Sequence, residues 1–267
     1  MEQQFAFKRH VRSIWISDIH LGYSGCSAEH LLGFLRQMRC ENLFLVGDIV
    51  DFWSLKKRRY WPQSHNDVVR SILGKAKHGT RVVLIPGNHD EVMRAYDGLT
   101  LGNVEIQDEL IHETADGRRF LVMHGDQFDN AVMHSPLLNL VGSKLYDGLM
   151  LVNRLVNSVR RSMGREYWSL AAAIKYRVKN AVKYIKRFER AVAKEAHARN
   201  VDGLICGHIH RPEINTLDNK VYLNSGDWVE SCTALLEHHD GSIELIHYAD
   251  RAESLKSLPA IIQRQAA

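Results

Sequence analysis

The chain has 267 residues, 45% of them hydrophobic and 25% charged, with 35 Lys/Arg against 31 Asp/Glu. That length is enough to bury a sizeable core in one large domain or two small ones, and the composition is that of a globular protein rather than a disordered or fibrous one. No apolar run reaches the roughly 18 uncharged residues a membrane-spanning helix requires, and the first ten residues lack the apolar stretch of a secretory signal, so a cytoplasmic protein is expected.

Val11 to Ser17 reads as a first strand, and Ala28 to Arg39, with Leu31, Leu32, Leu35 and Met38 at helical spacing, as a helix. Leu43 to Val46 is a short buried strand closed by Gly47-Asp48. His65 to His78 is a helix with Val68, Val69, Ile72 and Leu73 inward; Gly79 stops it, and Arg81 to Ile85 follows as a third strand. This rhythm predicts βαβ units and a mainly parallel sheet. Beyond residue 100 the strands shorten: Val104–Ile106, Leu110–His112 and Arg119–Met123, with Ala115-Asp116-Gly117 as a turn. Later come Val201–Cys206, Val221–Leu223, Thr233–Glu237 and Ile243–His247, with Asp218-Asn219 and Asp240-Gly241 marking hairpins. The expected fold class is α/β, two sheets packed face to face with helices outside.

Residues 130–199 interrupt that order and read as helical throughout. Ile174, Val178, Val182, Ile185, Phe188 and Val192 form an apolar stripe, beside a basic one of Lys175, Lys179, Lys183, Lys186, Arg190 and Lys194. Residues 144–199 hold 14 Lys/Arg and 4 Asp/Glu, so this segment is net +10 in a chain of net +4, and everything outside it is net −6. A helical hairpin with a solvated basic face is the plain explanation; a surface for phosphates or anionic headgroups is the functional one. Cys26, Cys40, Cys206 and Cys232 have neither CxxC nor zinc-knuckle spacing and read as small thiols, buried or half-buried, in a reducing compartment.

Five polar clusters carry the chemistry: Asp18-Ile19-His20, Gly47-Asp48-Ile49-Val50-Asp51, Gly87-Asn88-His89-Asp90, His124-Gly125-Asp126 and Gly207-His208-Ile209-His210. Each lies at or near the end of an apolar, β-branched-rich run, which gathers carboxylate, imidazole and amide ligands on one rim of the sheets. Singly they are weak, since an Asp-x-His or a Gly-Asp is more often an ordinary turn. Together, in this order, they specify a site for two hard or borderline divalent ions, with manganese, iron and zinc all suited to the oxygen and nitrogen donors. In an extended segment Asp18 and His20 would share a face and grip one ion. Asp48 can bridge both ions, Asn88, His124 and His208 serve the second, and His210 closes the first. Two ions about 3.5–4 Å apart can clamp the attacking and leaving oxygens of an in-line displacement at phosphorus. His89, beside a ligand, is placed to protonate the leaving oxygen, and Asp51 to hold its tautomer. Asp90, Asp126 and Asp129 read as supporting or capping residues. No GxSxG elbow or other protein nucleophile is visible.

With these motifs the sequence resembles the calcineurin-like metallophosphoesterase superfamily from residue 13 to about 235. The resemblance implies Asp18, His20, Asp48 and His210 on one metal, Asp48, Asn88, His124 and His208 on the other, and His89 as the catalytic histidine. It also implies one metallophosphoesterase domain over 1–267 with 130–199 as a basic helical cap. Within the superfamily the chain is most similar to the UDP-2,3-diacylglucosamine hydrolases. The cues are Phe52-Trp53, Met123-His124-Gly125-Asp126, Gly207-His208-Ile209-His210-Arg211-Pro212 and Gly226-Asp227-Trp228. Those enzymes split a lipid-linked nucleotide into UMP and lipid X, with manganese, at the inner face of the membrane. The resemblance therefore implies a cytoplasmic enzyme peripheral to the inner membrane, its cap meeting acyl chains and headgroups. The chain departs from that group at His89, where many members carry Arg, and at Asp51, where they carry Glu. Two other functions remain open. One is a phosphodiesterase acting on nucleotides, nucleic acid or another phosphoester, for which the basic stripe with Tyr176, Tyr184 and Phe188 speaks, though its aromatics do not alternate as a stacking track requires. The other is a non-catalytic metal-binding scaffold, against which stands the filled set of ligand positions.

Overall fold

Four mutually parallel strands form the middle of the larger sheet, and their burial on both faces explains the unbroken apolar runs in the sequence. The computed structural model of the protein describes residues 9–129 and 179–248, together with the single positions 157, 160 and 163. In chain order the elements are β1 (Arg9–Ile16), α1 (Ala28–Gln37), β2 (Met38–Val46), α2 (Phe52–Lys57), α3 (Gln63–Lys77), β3 (Arg81–Ile85), a 3-10 segment (Glu91–Tyr96), β4 (Thr100–Leu101) and β5 (Val104–Ile106). There follow β6 (Leu110–Glu113), β7 (Arg119–Val122), a 3-10 turn (Asp126–Phe128), α4 (Lys179–Ala198), β8 (Gly203–Cys206), β9 (Glu213–Leu217), β10 (Lys220–Asn224), β11 (Thr233–Glu237) and β12 (Ile243–His247). The seven-stranded sheet runs β12-β11-β1-β2-β3-β5-β4 and the five-stranded sheet β6-β7-β8-β10-β9. In the second sheet β7, β8 and β10 are parallel, so both sheets have a parallel centre with antiparallel edges.

The period of two along each strand sorts side chains into three packed layers. Ile14, Ile16, Leu43 and Leu45 face α1 and α3, meeting Leu31, Phe34, Leu35, Val68 and Ile72. Their neighbours Trp15, Phe44 and Val46 face the other way, against Phe120, Val122, Ile205 and Leu223 of the second sheet. Leu121, Leu204 and Tyr222 point outward onto Phe188, Val192 and Ala196 of α4. The result is a helix–sheet–sheet–helix sandwich, the fold class expected. In α4 the apolar stripe is buried at Ile185, Phe188 and Val192, while Lys186, Arg190 and Lys194 are exposed. The rest of the expected stripes, and most of the expected cap, lie outside the described residues.

Two differences from expectation bear on the sheet edges and register. The first helix stops at Gln37, and β2 starts five residues earlier than expected, at Met38. Parallel pairing with β1 (Arg9 opposite Met38, Val11 opposite Cys40) captures this stretch, and burial alternates there, with Met38 and Cys40 in and Arg39 and Glu41 out. The second is β9, a half-exposed edge strand absent from the sequence reading; it forms a hairpin with β10 through Asp218 and Asn219, both at positive φ.

One buried polar cluster ties the sheets together at the end of β11. Glu237 is fully buried, with Oε1 2.5 Å from Arg12 Nη1, Oε2 2.8 Å from His112 Nε2, and the backbone N–H of Ala115 donating to it at 2.9 Å. Burial pushes its carboxyl up, but the hydrogen bonds from His112, Ser13, Ala115 and Arg12 outweigh that and hold it at about 2. Since the folded value is depressed, its stabilisation is complete above the ordinary glutamate range and is lost as pH falls through about 2. Glu237→Ala strands a buried histidine and a half-buried arginine and is expected to cost about 3 kcal/mol at neutral pH. Urea denaturation checks this, and the gap between variant and wild type narrows as pH is lowered from about 4.5.

Candidate dinuclear metal site

The carboxyl ends of β1, β2, β3, β7 and β8 share one rim, and each leads into one polar cluster. The loops after β1 and β2 run side by side, with backbone N–H groups of Asp18, His20 and Leu21 donating to the carbonyls of Gly47, Asp48 and Ile49 at 3.0, 2.9 and 2.9 Å. Within the second sheet the loops after β7 and β8 are joined at the same level, where Gly207 N–H donates to His124 O at 3.1 Å. Asp18, His20, Asp48, His208 and His210 all have φ between 52° and 66°. Left-handed backbone is uncommon outside glycine and gathers where function holds it in place. The Asp18-Ile19-His20 segment is therefore not extended, as the sequence reading assumed. A left-handed turn at both residues brings their side chains together.

Asp18, His20 and His210 form one group whose potential ligand atoms lie within 4.8 Å of one another, and Asp18, Asp48 and His124 form another. Asp48 lies in the middle, with Oδ2 3.7 Å from His20 Nε2 and Oδ1 3.5 Å from His124 Nε2. Asp18 Oδ1 is 3.0 Å from His210 Nε2 without hydrogen-bond alignment. Asp18 Oδ1, His20 Nε2, Asn88 Oδ1 and His124 Nε2 are buried and have no hydrogen-bond partner among the described residues. Buried polar atoms left unpaired are costly, and four of them, three belonging to the groups around Asp18 and Asp48, fit divalent cations. Close backbone approach makes room: a Cβ on Gly47 would overlap the His124 ring, and one on Gly207 the Asp18 carboxylate.

Electrostatics follow from this crowding. Burial raises Asp18, but His210 and His124 outweigh it and hold it at about 2. Asp48 is likewise raised by burial and carried well below its ordinary value by His124, His20 and His89. Burial lowers His20 and His124, yet the facing carboxylates lift them to about 9 and about 10, Asp51 and Asp48 for the first, Asp48 and Asp18 for the second. A cation set among these atoms would displace the protons.

The remaining candidates sit around this centre. His124 Nδ1 is 2.9 Å from Val46 O, which makes Nδ1 the donor and leaves Nε2 facing Asp48. Asn88 carries an unpartnered buried Oδ1, and the next N–H, that of His89, donates to Asp48 Oδ1 at 2.8 Å. His208 falls outside these groups, its Nε2 2.9 Å from Asp129 Oδ1, which also accepts from Tyr184 Oη at 2.8 Å. Asp90 is buried and accepts from the backbone of Asp48, Ile49, Val50 and Gly87, tying the β2 and β3 loops together. Asp126 pairs with Arg94 at 2.7 Å.

His89 lies at the edge, its Nδ1 3.0 Å from Asp51 Oδ1, although the alignment falls short of a hydrogen bond. Asp51 caps α2 by accepting from Ser54 N at 2.7 Å and Ser54 Oγ at 2.8 Å, and it also faces His20 Nδ1 at 3.3 Å. One carboxylate thus positions two imidazoles and a helix. That helix is not among the expected elements, and Asp51 at its N-cap is the signal in the sequence that marks its start. Trp53, expected only as a cue of the family resemblance, has its ring 4.2 Å, centroid to centroid, from that of His89.

Fold and site define a metal-dependent phosphoesterase. Residues 11–212 match the calcineurin-like phosphoesterase family, and the chain belongs to it. It is 26% identical over 246 residues to the UDP-2,3-diacylglucosamine hydrolase of Aliivibrio fischeri (strain MJ11), covering 85% of this chain and 94% of that protein. It is 27% identical over 222 residues to the UDP-2,3-diacylglucosamine hydrolase of Shigella sonnei (strain Ss046), covering 77% and 84%. Among solved structures, vacuolar protein sorting 29 from Cryptosporidium parvum is similar at 11% identity and a TM-score of 0.42, covering 88% of this chain and 94% of that one.

Asp48 sets one oxygen toward His20 and the other toward His124, while His210 pairs with Asp18, so their substitutions should differ. After equilibration with Mn²⁺ and gel filtration, wild type is expected to retain two ions per chain by elemental analysis, His210→Ala one, and Asp48→Asn close to none.

Proposed function

We propose that this phosphoesterase hydrolyses the pyrophosphate of a lipid-linked nucleotide, releasing UMP from UDP-2,3-diacylglucosamine and leaving lipid X. The observation that carries the substrate is the similarity to hydrolases of that name along most of both chains. The reaction class rests on the family and on the unpaired buried ligand atoms.

Asp18, His20, Asp48 and His210 would hold one divalent ion, and Asp48, Asn88, His124 and His208 the other. Manganese is the proposed metal, and the mixed oxygen and nitrogen donors accept iron or zinc as well. Bound there, divalent ions supply Lewis acidity toward phosphoryl oxygens and lower the pKa of water toward neutrality. The chain's own contribution is orientation and proton supply. Asp51 holds His89 through Nδ1, so Nε2 faces the reacting phosphate and gives its proton to the leaving oxygen. Asp90 fixes the two loops that carry Asp48, Asn88 and His89, and Asp129 orients His208 as a carboxylate behind a ligating imidazole does. The filled ligand set argues against a scaffold. Residues 130–199 remain the proposed cap, with inner-membrane contact through its basic face.

The test is UMP release from UDP-2,3-diacylglucosamine by protein supplied with Mn²⁺. Wild type is expected to release UMP and Asp48→Asn none. His89→Ala should retain metal but lose about 10²–10⁴-fold in kcat, and Asp51→Asn should lose less. Hydrolysis of an aryl phosphodiester without UMP release would keep the reaction class and remove the lipid substrate. Full activity in Asp48→Asn would remove the two-metal mechanism.

A further inference from the structure

Helix α4 is bound into the loops that follow β7 and β8. Its Tyr184 hydroxyl donates to Asp129 Oδ1 at 2.8 Å, and the same oxygen lies 2.9 Å from His208 Nε2. One turn on, Phe188 is fully buried, edge-on to Phe128 at 5.5 Å between ring centroids and tilted against the His208 ring at 6.3 Å. A Cβ on Gly125, at φ 113°, would come within 3.0 Å of the Phe188 ring, so both backbone and close approach call for glycine beside His124. Glu189 pairs with Arg211, the neighbour of His210, at 3.1 Å. These three residues of α4 touch the segments that carry His124, His208 and His210.

The same contacts leave neither aromatic ring for a nucleic-acid base, since Phe188 is 0% exposed and Tyr184 is turned inward onto Asp129. Burial and the adjacent Asp129 push the Tyr184 hydroxyl up, so it stays a donor. A carboxylate can only accept, so His208 Nε2 carries the proton and the Nδ1 lone pair is the one a cation could take. His208 leaves a left-handed backbone, φ 66°, which needs holding from outside. Asp129 itself stands at the end of a three-residue 3-10 turn, whereas Tyr184 belongs to a helix of twenty residues. Two donors on one oxygen fix the carboxylate, and the longer element of the pair is α4.

We propose that Tyr184 is a positioning residue for the second metal ion: through Asp129 it fixes the ring of His208, and with Phe188 it makes α4 part of the metal centre. The inference rests on the reading above in which His208 serves that ion. Removing the hydroxyl leaves Asp129 one donor short and free to turn, and the imidazole then loses its fixed orientation. The ligands proposed for the first ion are held otherwise, His20 facing Asp51 and His210 facing Asp18. The loss therefore falls on one ion of the two.

The experiment titrates the metal-free full chain with Mn²⁺, reading both stepwise affinities by calorimetry and the exchange-coupled manganese pair by electron paramagnetic resonance. Tyr184→Phe is expected to weaken the second ion about tenfold and Asp129→Asn about 10–100-fold, the range for partners of a ligating histidine. The first ion's affinity and the melting temperature of the metal-free chain should stay unchanged in both. Lys194→Ala, on the exposed face of the same helix, should bind both ions as wild type does. An unaltered second affinity in Tyr184→Phe overturns the proposal, whatever Asp129→Asn does. So does a loss shared by both ions with a lowered melting temperature, which makes Tyr184 a packing residue only. Wild type that binds a single ion overturns the two-ion reading and this inference with it. Metal is read without substrate, so failure to release UMP would sink the lipid substrate and leave the role of Tyr184 standing.

Discussion

Burying a carboxylate is expensive unless positive charge or hydrogen-bond donors surround it, and Asp48, 2% exposed, imposes that demand on everything near it. One of its oxygens faces His124, the other His20 and His89. Three imidazoles from three different loops must therefore converge within 4 Å of it. Each loop leaves the end of a different strand, and only a rim shared by two sheets brings three such ends so close. The packing of Trp15, Phe44 and Val46 onto Phe120, Val122 and Ile205 sets the distance between the sheets, and with it the separation of His124 from Asp48. Core and site are one construction, and a shift in the first would open the second.

Backbone conformation is the second part of that construction. Five of the side chains that gather here leave a left-handed backbone, a conformation that costs energy in a non-glycine residue. Surrounding hydrogen bonds hold it in place. Asp18 N–H and O are both engaged, by Gly47 O and Trp228 N–H, while His208 N–H donates to Asp18 Oδ2 at 2.9 Å. Asp90 binds four N–H groups across two loops, so the strain of the Asp48 turn is opposed by a carboxylate outside the candidate metal groups. Rigid positioning of this kind is what a site needs when its ligands must accept cations without rearranging.

The order of strands and the location of the clusters were legible in the sequence because both depend on local pattern. Apolar β-branched runs followed by Gly-Asp, Gly-Asn-His or Gly-His-Ile-His announce strand ends, and the structure gathers Asp18, His20, Asp48, His124 and His210 from them. Features set by distant contacts were not legible. Helical spacing carries on to Met38, and only pairing with β1 turns that stretch into strand. The same holds for the Asp18–His20 turn, whose shape is dictated by hydrogen bonds to the β2 loop and to Trp228 rather than by its own three residues. His208 looks equivalent to His210 in the motif, yet Asp129, almost eighty residues away in sequence, takes its Nε2.

The distribution of charge carries the last step. A chain of net +4 would be expected to meet anions weakly and everywhere, but its cations are segregated. Inside the catalytic rim the carboxylates of Asp18, Asp48 and Asp51 call for cations, and an anionic substrate entering without them would be repelled. Outside the rim, Lys56 to Arg59 and the exposed face of α4 present unpaired or solvent-facing positive charge on two different layers of the sandwich. In the proposed reading, the basic periphery draws a phosphorylated substrate through long-range charge, while the acidic centre repels it until divalent ions are in place. In that reading, attraction of the substrate and loading of the metal rest on different residues of the chain.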